Sequence, residues 1–171
     1  MRAVLWGILW CSLLFGCITD LKSQRVYNFT WWFGGLAAGG LLWKSLCPGK
    51  AEVLWQLALF MALQMWMFSR MYGKADCYAF CVCAIAEAAL GMGFRGYLKL
   101  MLLALMLLFP VQLFRRNIAR DGNLRHPVAF LPYISVAFGL HIAVIHTGNC
   151  PAISFMNYRM HIYANIGCFF N

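Results

Sequence analysis

Acidic residues are almost missing from this chain: Asp20, Glu52, Asp76, Glu87 and Asp121 are the five among 171 residues. Charge of either sign is scarce, at 11% of residues, against about 25% in an ordinary soluble domain. Together with 63% hydrophobic residues, that scarcity excludes a soluble globular protein and points to a single-domain integral membrane protein. Low-complexity segments and internal repeats are also missing. So is any paired Cys-x-x-Cys set, which leaves the eight cysteines without a zinc signature. Cys77 and Cys81 share a helix face that Cys83 does not. With Cys11 and Cys17 they read as small apolar packing residues. Cys47, Cys150 and Cys168 fall on the opposite side of the expected topology, where a disulfide stays open. His141 and His146 stand about 140° apart around a helix and share no ligand face. No metal and no cofactor is expected. A net charge of +9 in a soluble protein would suggest nucleic acid. Here topology and anionic lipid headgroups account for it, and no nucleic-acid partner is expected.

What is present is a series of apolar runs. A spanning helix needs about 20 mostly apolar residues, and an open sheet cannot satisfy its backbone groups in lipid. The expected spans are Ala3–Thr19, Phe29–Trp43, Val53–Ser69, Cys77–Met92, Tyr97–Phe114 and Val128–Thr147. The second is short, bounded by Lys44, Lys50 and Cys47-Pro48-Gly49. The expectation is an all-α polytopic membrane protein of about six transmembrane helices, with a domain over 1–147 and an exoplasmic or interfacial tail over 148–171. The first run, with Arg2 as a charged start, also has the form of a secretory signal, but five further spans favour a retained helix. If the turn after the first span is cytoplasmic, that side holds Lys22, Arg25, Arg70, Lys74, Arg115, Arg116, Arg120 and Arg125. The outer side then holds Arg2, Lys44, Lys50, Arg95, Lys99 and Arg159. The dense 115–125 loop favours this orientation.

Against that background two acids stand out, because carboxylates near hydrocarbon are expensive and tend to mark function. Asp20 follows span one and Asp76 precedes span four, so the two share a membrane face. Asp76 has a bland reading as a residue that caps a helix start. Asp20 has no such local explanation, since a helix C-terminus disfavours negative charge. A pair of carboxylates able to share one proton is the machinery of aspartic proteolysis.

The neighbouring residues carry a resemblance. Asp20-Leu21-Lys22-Ser23-Gln24-Arg25-Val26-Tyr27-Asn28 resembles the first-aspartate motif of the prepilin peptidases (type IV prepilin leader and preflagellin peptidases), an Asp followed by basic residues and then Ile-Pro-Asn. Gly73-Lys74-Ala75-Asp76 is similar to their Gly-x-Gly-Asp motif. Pro127-Val128-Ala129-Phe130-Leu131-Pro132-Tyr133 is similar to the stretch that opens their last helix. The resemblance implies a membrane aspartic endopeptidase that trims the leader of pilin-like precursors at the cytoplasmic face of the cell membrane, in protein secretion or type IV pilus assembly. Asp20 and Asp76 would be catalytic, supported by Arg25, Asn28, Gly73, Lys74, Ala75, Phe130 and Pro132. The expected partners are pilin-like precursors and the lipid bilayer, with oligomeric state open. The chain has no room for the cysteine-bearing insertion of the larger members, so no methyltransferase activity is expected. Tyr27 departs from the family proline, Ala75 from the glycine before the aspartate, and Tyr78 from a frequent lysine. A left-handed backbone at 75 would be costly for alanine. A catalytically degenerate member acting as a membrane scaffold or transporter subunit is the alternative.

Other features have structural readings. Glu87 lies eleven residues beyond Asp76, on nearly the same helix face but about 16 Å deeper. It is expected as a buried acid bonded to a neighbouring helix. Gly34, Gly35, Gly39 and Gly40, with Ala37 and Ala38, form a small-residue stripe for close helix packing, or alternatively a groove for a substrate helix. Pro110 is expected to kink the fifth helix.

Overall fold

A computed structural model describes residues 1–23, 26–45, 51–71, 73–118 and 129–148. These residues form six α-helices: α1 (Arg2–Ser23), α2 (Asn28–Ser45), α3 (Ala51–Trp66), α4 (Lys74–Ala89), α5 (Phe94–Ile118) and α6 (Leu131–Gly148). A 3₁₀ turn, Phe68–Arg70, extends α3. No strand occurs among the described residues. By contacts the chain divides into Met1–Phe138 and Gly139–Asn171; of the second unit the described part is the remainder of α6. Arg25, Cys47, Asp121, Cys150, Cys168 and nearly all of the 148–171 tail lie outside the described residues.

Each expected apolar run overlaps one of the six helices. Helices α1, α2 and α5 extend beyond the expected bounds, while α3 ends at Trp66 before Ser69, α4 ends at Ala89 before Met92, and α6 starts at Leu131. The first helix continues to Ser23, because Thr19 Oγ1 donates to the Phe15 and Gly16 carbonyls and Ser23 Oγ to the Thr19 carbonyl. Those back-bonds keep a polar turn helical. Asp20 therefore lies inside α1, not after it. The fifth helix runs through Pro110 to Ile118, where the proline leaves the Met106 carbonyl without its amide partner.

Helix α4 sits at the centre of the first unit. Its sequence is rich in Ala and Cys, and Cys77, Ala79, Phe80, Cys81, Val82, Cys83, Ala84, Ala86, Glu87 and Ala88 are all buried. A helix buried on every side is apolar on every side, unlike a two-faced surface helix. It packs against α2, α3 and α5, and α1 packs on α2. Lipid offers no hydrophobic drive between helices, so small residues and polar contacts hold them. Gly34 shows the requirement: a Cβ there would stand 2.8 Å from Ser12 Oγ of α1 and 3.3 Å from Val82 Cγ1 of α4. The small-residue stripe thus divides. Gly34, Ala37 and Ala38 pack inward, while Gly35 and Gly39 have no side chain near them. Between helices, Cys17 Sγ and Ser135 Oγ are 3.0 Å apart, and Gln64 Nε2 donates to Met101 Sδ at 3.5 Å.

At the far end of α4 the chain turns through Gly91, whose φ of +82° is left-handed. Gly91 N–H donates to the Ala88 carbonyl and Met92 N–H to the Glu87 carbonyl, a glycine-terminated helix end. Helix α5 then starts under a borrowed cap: Phe94 N–H donates to Gln56 Oε1 of α3 at 2.8 Å. That carbonyl lies against Gly93, where any Cβ would collide with it.

Among the described residues three helical stretches are long and apolar enough to cross a membrane, Arg2–Ser23, Ala51–Arg70 and Phe94–Phe114, against the six spans expected. Leu131–Ile145 is apolar but shorter. Helix α2 is diluted by glycines and tryptophans, and α4 has only 16 residues, with Lys74, Asp76 and Glu87 among them. Large apolar side chains cover the outside, including Trp32 at 72% and Trp43 at 79% exposure. In water such a surface would aggregate; against hydrocarbon it is matched.

Candidate active site

The two sequence-selected aspartates meet at one end of the first unit. Asp20 projects from the last turn of α1 to the start of α6, where Leu131 N–H donates to Asp20 Oδ2 at 3.4 Å. This supplies the explanation that the sequence lacked. Although α1 disfavours a carboxylate at its C-terminus, the N-terminus of α6 offers free amides and the positive end of a second dipole. Helix α6 reaches this place through Phe130, whose ring lies edge-on to Phe80 at a centroid separation of 5.8 Å. Phe80 is one helical turn beyond Asp76. Pro132, the second residue of α6, gives up only an amide that has no intrahelical partner in a first turn.

Asp76 is the third residue of α4, and Gly73 is its N-cap, with φ −65° and ψ 149°. The Gly73 N–H donates to the Asp76 carboxylate, which is how a third-position acid satisfies an N-cap amide. A Cβ on Gly73 would stand 3.3 Å from Asp76 Oδ2, so glycine keeps that approach open. Burial, and then the charge of Asp20, push the Asp76 carboxyl up from an ordinary 3.8 to about 6; the Gly73 amide opposes the rise. Desolvation and a nearby like charge both disfavour ionisation. The structure therefore brings the two acids within electrostatic reach of each other.

The supporting residues distribute unevenly. Ala75 is the second residue of α4, in ordinary helical backbone. The expected left-handed cost at this position does not arise, and alanine suits the helix well. Lys74 opens α4 and is exposed. Asn28 opens α2 and is exposed; it does not join the carboxylates in any hydrogen bond among the described residues. It instead lines a groove of about 500 Å³ with Trp31, Trp32, Gly35, Leu36 and Tyr78. Tyr78 is two residues from Asp76 on α4, and neither aspartate is among the residues that line this groove. Glu87 is fully buried, in line with the sequence reading, and sits at the opposite end of α4 beside Gly96. Among the described residues no group of three or more His, Cys, Asp or Glu could hold a metal ion.

Sequence reasoning missed the Leu131 amide, the Phe80 partner and the aromatic groove. The available signal was Pro132, since a proline just inside a helix start implies free amides that seek an acceptor.

These helices define an all-α protein with membrane-spanning character. No protein family, curated protein or solved structure matches the chain.

Proposed function

We propose that this chain is a six-span membrane aspartic endopeptidase that cleaves leader peptides from pilin-like precursors at the cytoplasmic membrane face. The observation that carries this reading is the coupling of the carboxylates: burial and the Asp20 charge raise Asp76 to about 6. A pair so coupled holds one proton between its members at and below about pH 6. The ionised member takes a proton from water as that water attacks the scissile carbonyl. The protonated member donates to the carbonyl oxygen and then assists departure of the amine. The backbone amides of Leu131 and Gly73 each hold one carboxylate in place for this exchange. The groove beside Tyr78 gives an extended substrate somewhere to lie.

The second reading, a non-catalytic scaffold, draws on the same contacts. Each aspartate also caps a helix, and Ala75 and Tyr78 depart from the resembled motifs. Co-expression with pilin-like precursors, followed by mass measurement of their N-termini, separates the two. The peptidase should shorten a precursor, and Asp20→Asn or Asp76→Asn should each abolish that shortening while folded protein persists. Uncleaved precursors throughout, or full cleavage by Asp76→Asn, would leave only the scaffold. Reporter fusions test the spans independently: one after Arg120 should read cytoplasmic and one after Thr147 exoplasmic.

A further inference from the structure

The residue that meets Asp20 is gripped by α1 at more than one point. Leu131 is fully buried. Its N–H donates to Asp20 Oδ2 at 3.4 Å, and its carbonyl accepts from Ser135 Oγ, one turn further along α6, at 3.2 Å. A serine hydroxyl has one proton to give. With that proton on the Leu131 carbonyl, the 3.0 Å contact between Ser135 Oγ and Cys17 Sγ has the thiol as its donor. Cys17 and Asp20 lie three residues apart on one face of α1, so both peptide groups of Leu131 are tied to the same helix turn. The Leu131 side chain uses the gap left by Gly16, where a Cβ would stand 2.9 Å from Leu131 Cδ2.

These contacts differ from the rest of the seam between α1 and α6 in what they fix. Further along, Phe138 meets Trp10 and Trp6 at centroid separations of 5.5 and 6.3 Å. Ring packing sums many weak atom pairs and sets no single register. A hydrogen bond weakens steeply with distance and angle, and polar contacts of this kind hold helices together in lipid. At 3.4 Å the contact of Asp20 with Leu131 is already long, so it tolerates little further movement of α6. Cys17 and Ser135 are themselves buried, so neither offers its side chain to water or a substrate. Their contact lies within the two helices and caps neither.

We propose that Cys17 and Ser135 are positioning residues: their contact sets the register of α6 on α1 and so holds the Leu131 amide on Asp20. This deepens the peptidase reading, on which the cleavage arm of the test rests; the spectroscopic arm is read without any substrate. The full chain, ¹⁵N-labelled in detergent, is followed by NMR at the Leu131 amide across the pH range in which Asp20 ionises. An amide that donates to a carboxylate shifts as that group ionises, because the charge-assisted bond is shorter and stronger. The intact protein should show such a shift, and Asp20→Asn should lose it. Ser135→Ala and Cys17→Ala should each lose most of it. The exchanged pair C17S/S135C, which keeps one thiol and one hydroxyl, should restore it. Phe138→Leu, in the same seam, should lower stability and leave the shift in place. Precursor cleavage should fall in Ser135→Ala by up to about 100-fold, the effect of a displacement of about 1 Å at a reacting group, and return in the exchanged pair. If Ser135→Ala does not fold, Cys17→Ala decides in its place. A Leu131 resonance that ignores Asp20 in the intact protein would overturn the proposal, and so would a full shift in both alanine variants. An exchanged pair that behaves like Ser135→Ala would reduce the contact to packing and also overturn it. Amide shifts as expected in a protein that cleaves no precursor would support the positioning and count against the peptidase reading alone.

Discussion

Two helices of the first unit begin under a cap lent by another helix, one at each end, and the lenders differ in charge. At the remote end α5 starts on the neutral amide of Gln56, at 2.8 Å from Phe94 N. At the other end α6 starts on the carboxylate of Asp20, at 3.4 Å from Leu131 N. A neutral side chain caps a helix adequately and brings no charge into a dry place. The carboxylate does a longer and weaker version of the same task and adds a like charge beside Asp76. Capping alone therefore accounts for Gln56 and not for Asp20. The remote end has the composition that stability selects, and the aspartate end carries an electrostatic cost of the kind found at functional sites.

The comparison is most sharply tested by cleavage. Gln56→Ala should leave precursor cleavage intact, whereas Asp20→Asn should eliminate it. The double variant of Asp20 and Asp76 should be no worse than either single one, since members of one catalytic unit are not additive. Additive partial losses in that cycle would break the pair into two unrelated residues.

Stability should respond with opposite signs at the two ends. Asp76 holds its proton more tightly folded than unfolded, so it favours the fold most below 3.8. That advantage is lost as pH rises towards about 6, and a constant cost remains above it. A carboxyl moved this far costs at most about 3 kcal/mol, and partial exposure lowers this to about 1–2 kcal/mol. Asp76→Asn should thus stabilise the protein by that amount at pH 7.5 and hardly at all at pH 4, as read by unfolding in detergent. A purely structural cap would lose stability on the same change. Gln56→Ala should cost about 1 kcal/mol with no such pH dependence, because a neutral cap is removed.

The smallest effect concerns position 75. Since Ala75 is helical, Ala75→Gly should cost about 0.5–1 kcal/mol of stability and bring no gain in cleavage rate. A faster enzyme would show that a strained backbone at 75 matters after all.

How much of this was legible in advance follows from which contacts are local. The helices were legible because each apolar run reports its own burial. The extension of α1 to Ser23 was not, because it depends on Thr19 and Ser23 bonding back to carbonyls one turn earlier. Asp20 and Asp76 were selected by scarcity and by neighbouring motifs. The reason that Asp20 tolerates its place was hidden, since Leu131 is 111 residues away in sequence. Phe80 was hidden for the same reason: its partner Phe130 lies beyond α5. Asn28 carried the right spacing for the resembled motif, yet its side chain lines a groove with Tyr78 and does not join the acids. Spacing along a chain places a residue on an element, but only the packing of α2 on α4 decides what it faces.

The central claim is that Asp20 and Asp76 titrate as one unit, and a direct measurement is the Asp76 carboxyl titration followed by ¹³C NMR in the intact protein and in Asp20→Asn. The account predicts a midpoint near 6 in the intact protein. In the variant it predicts a lower midpoint, still above 3.8, because burial remains after the neighbouring charge is gone. The same midpoint in both proteins, or an ordinary midpoint near 3.8 in the intact one, would contradict it.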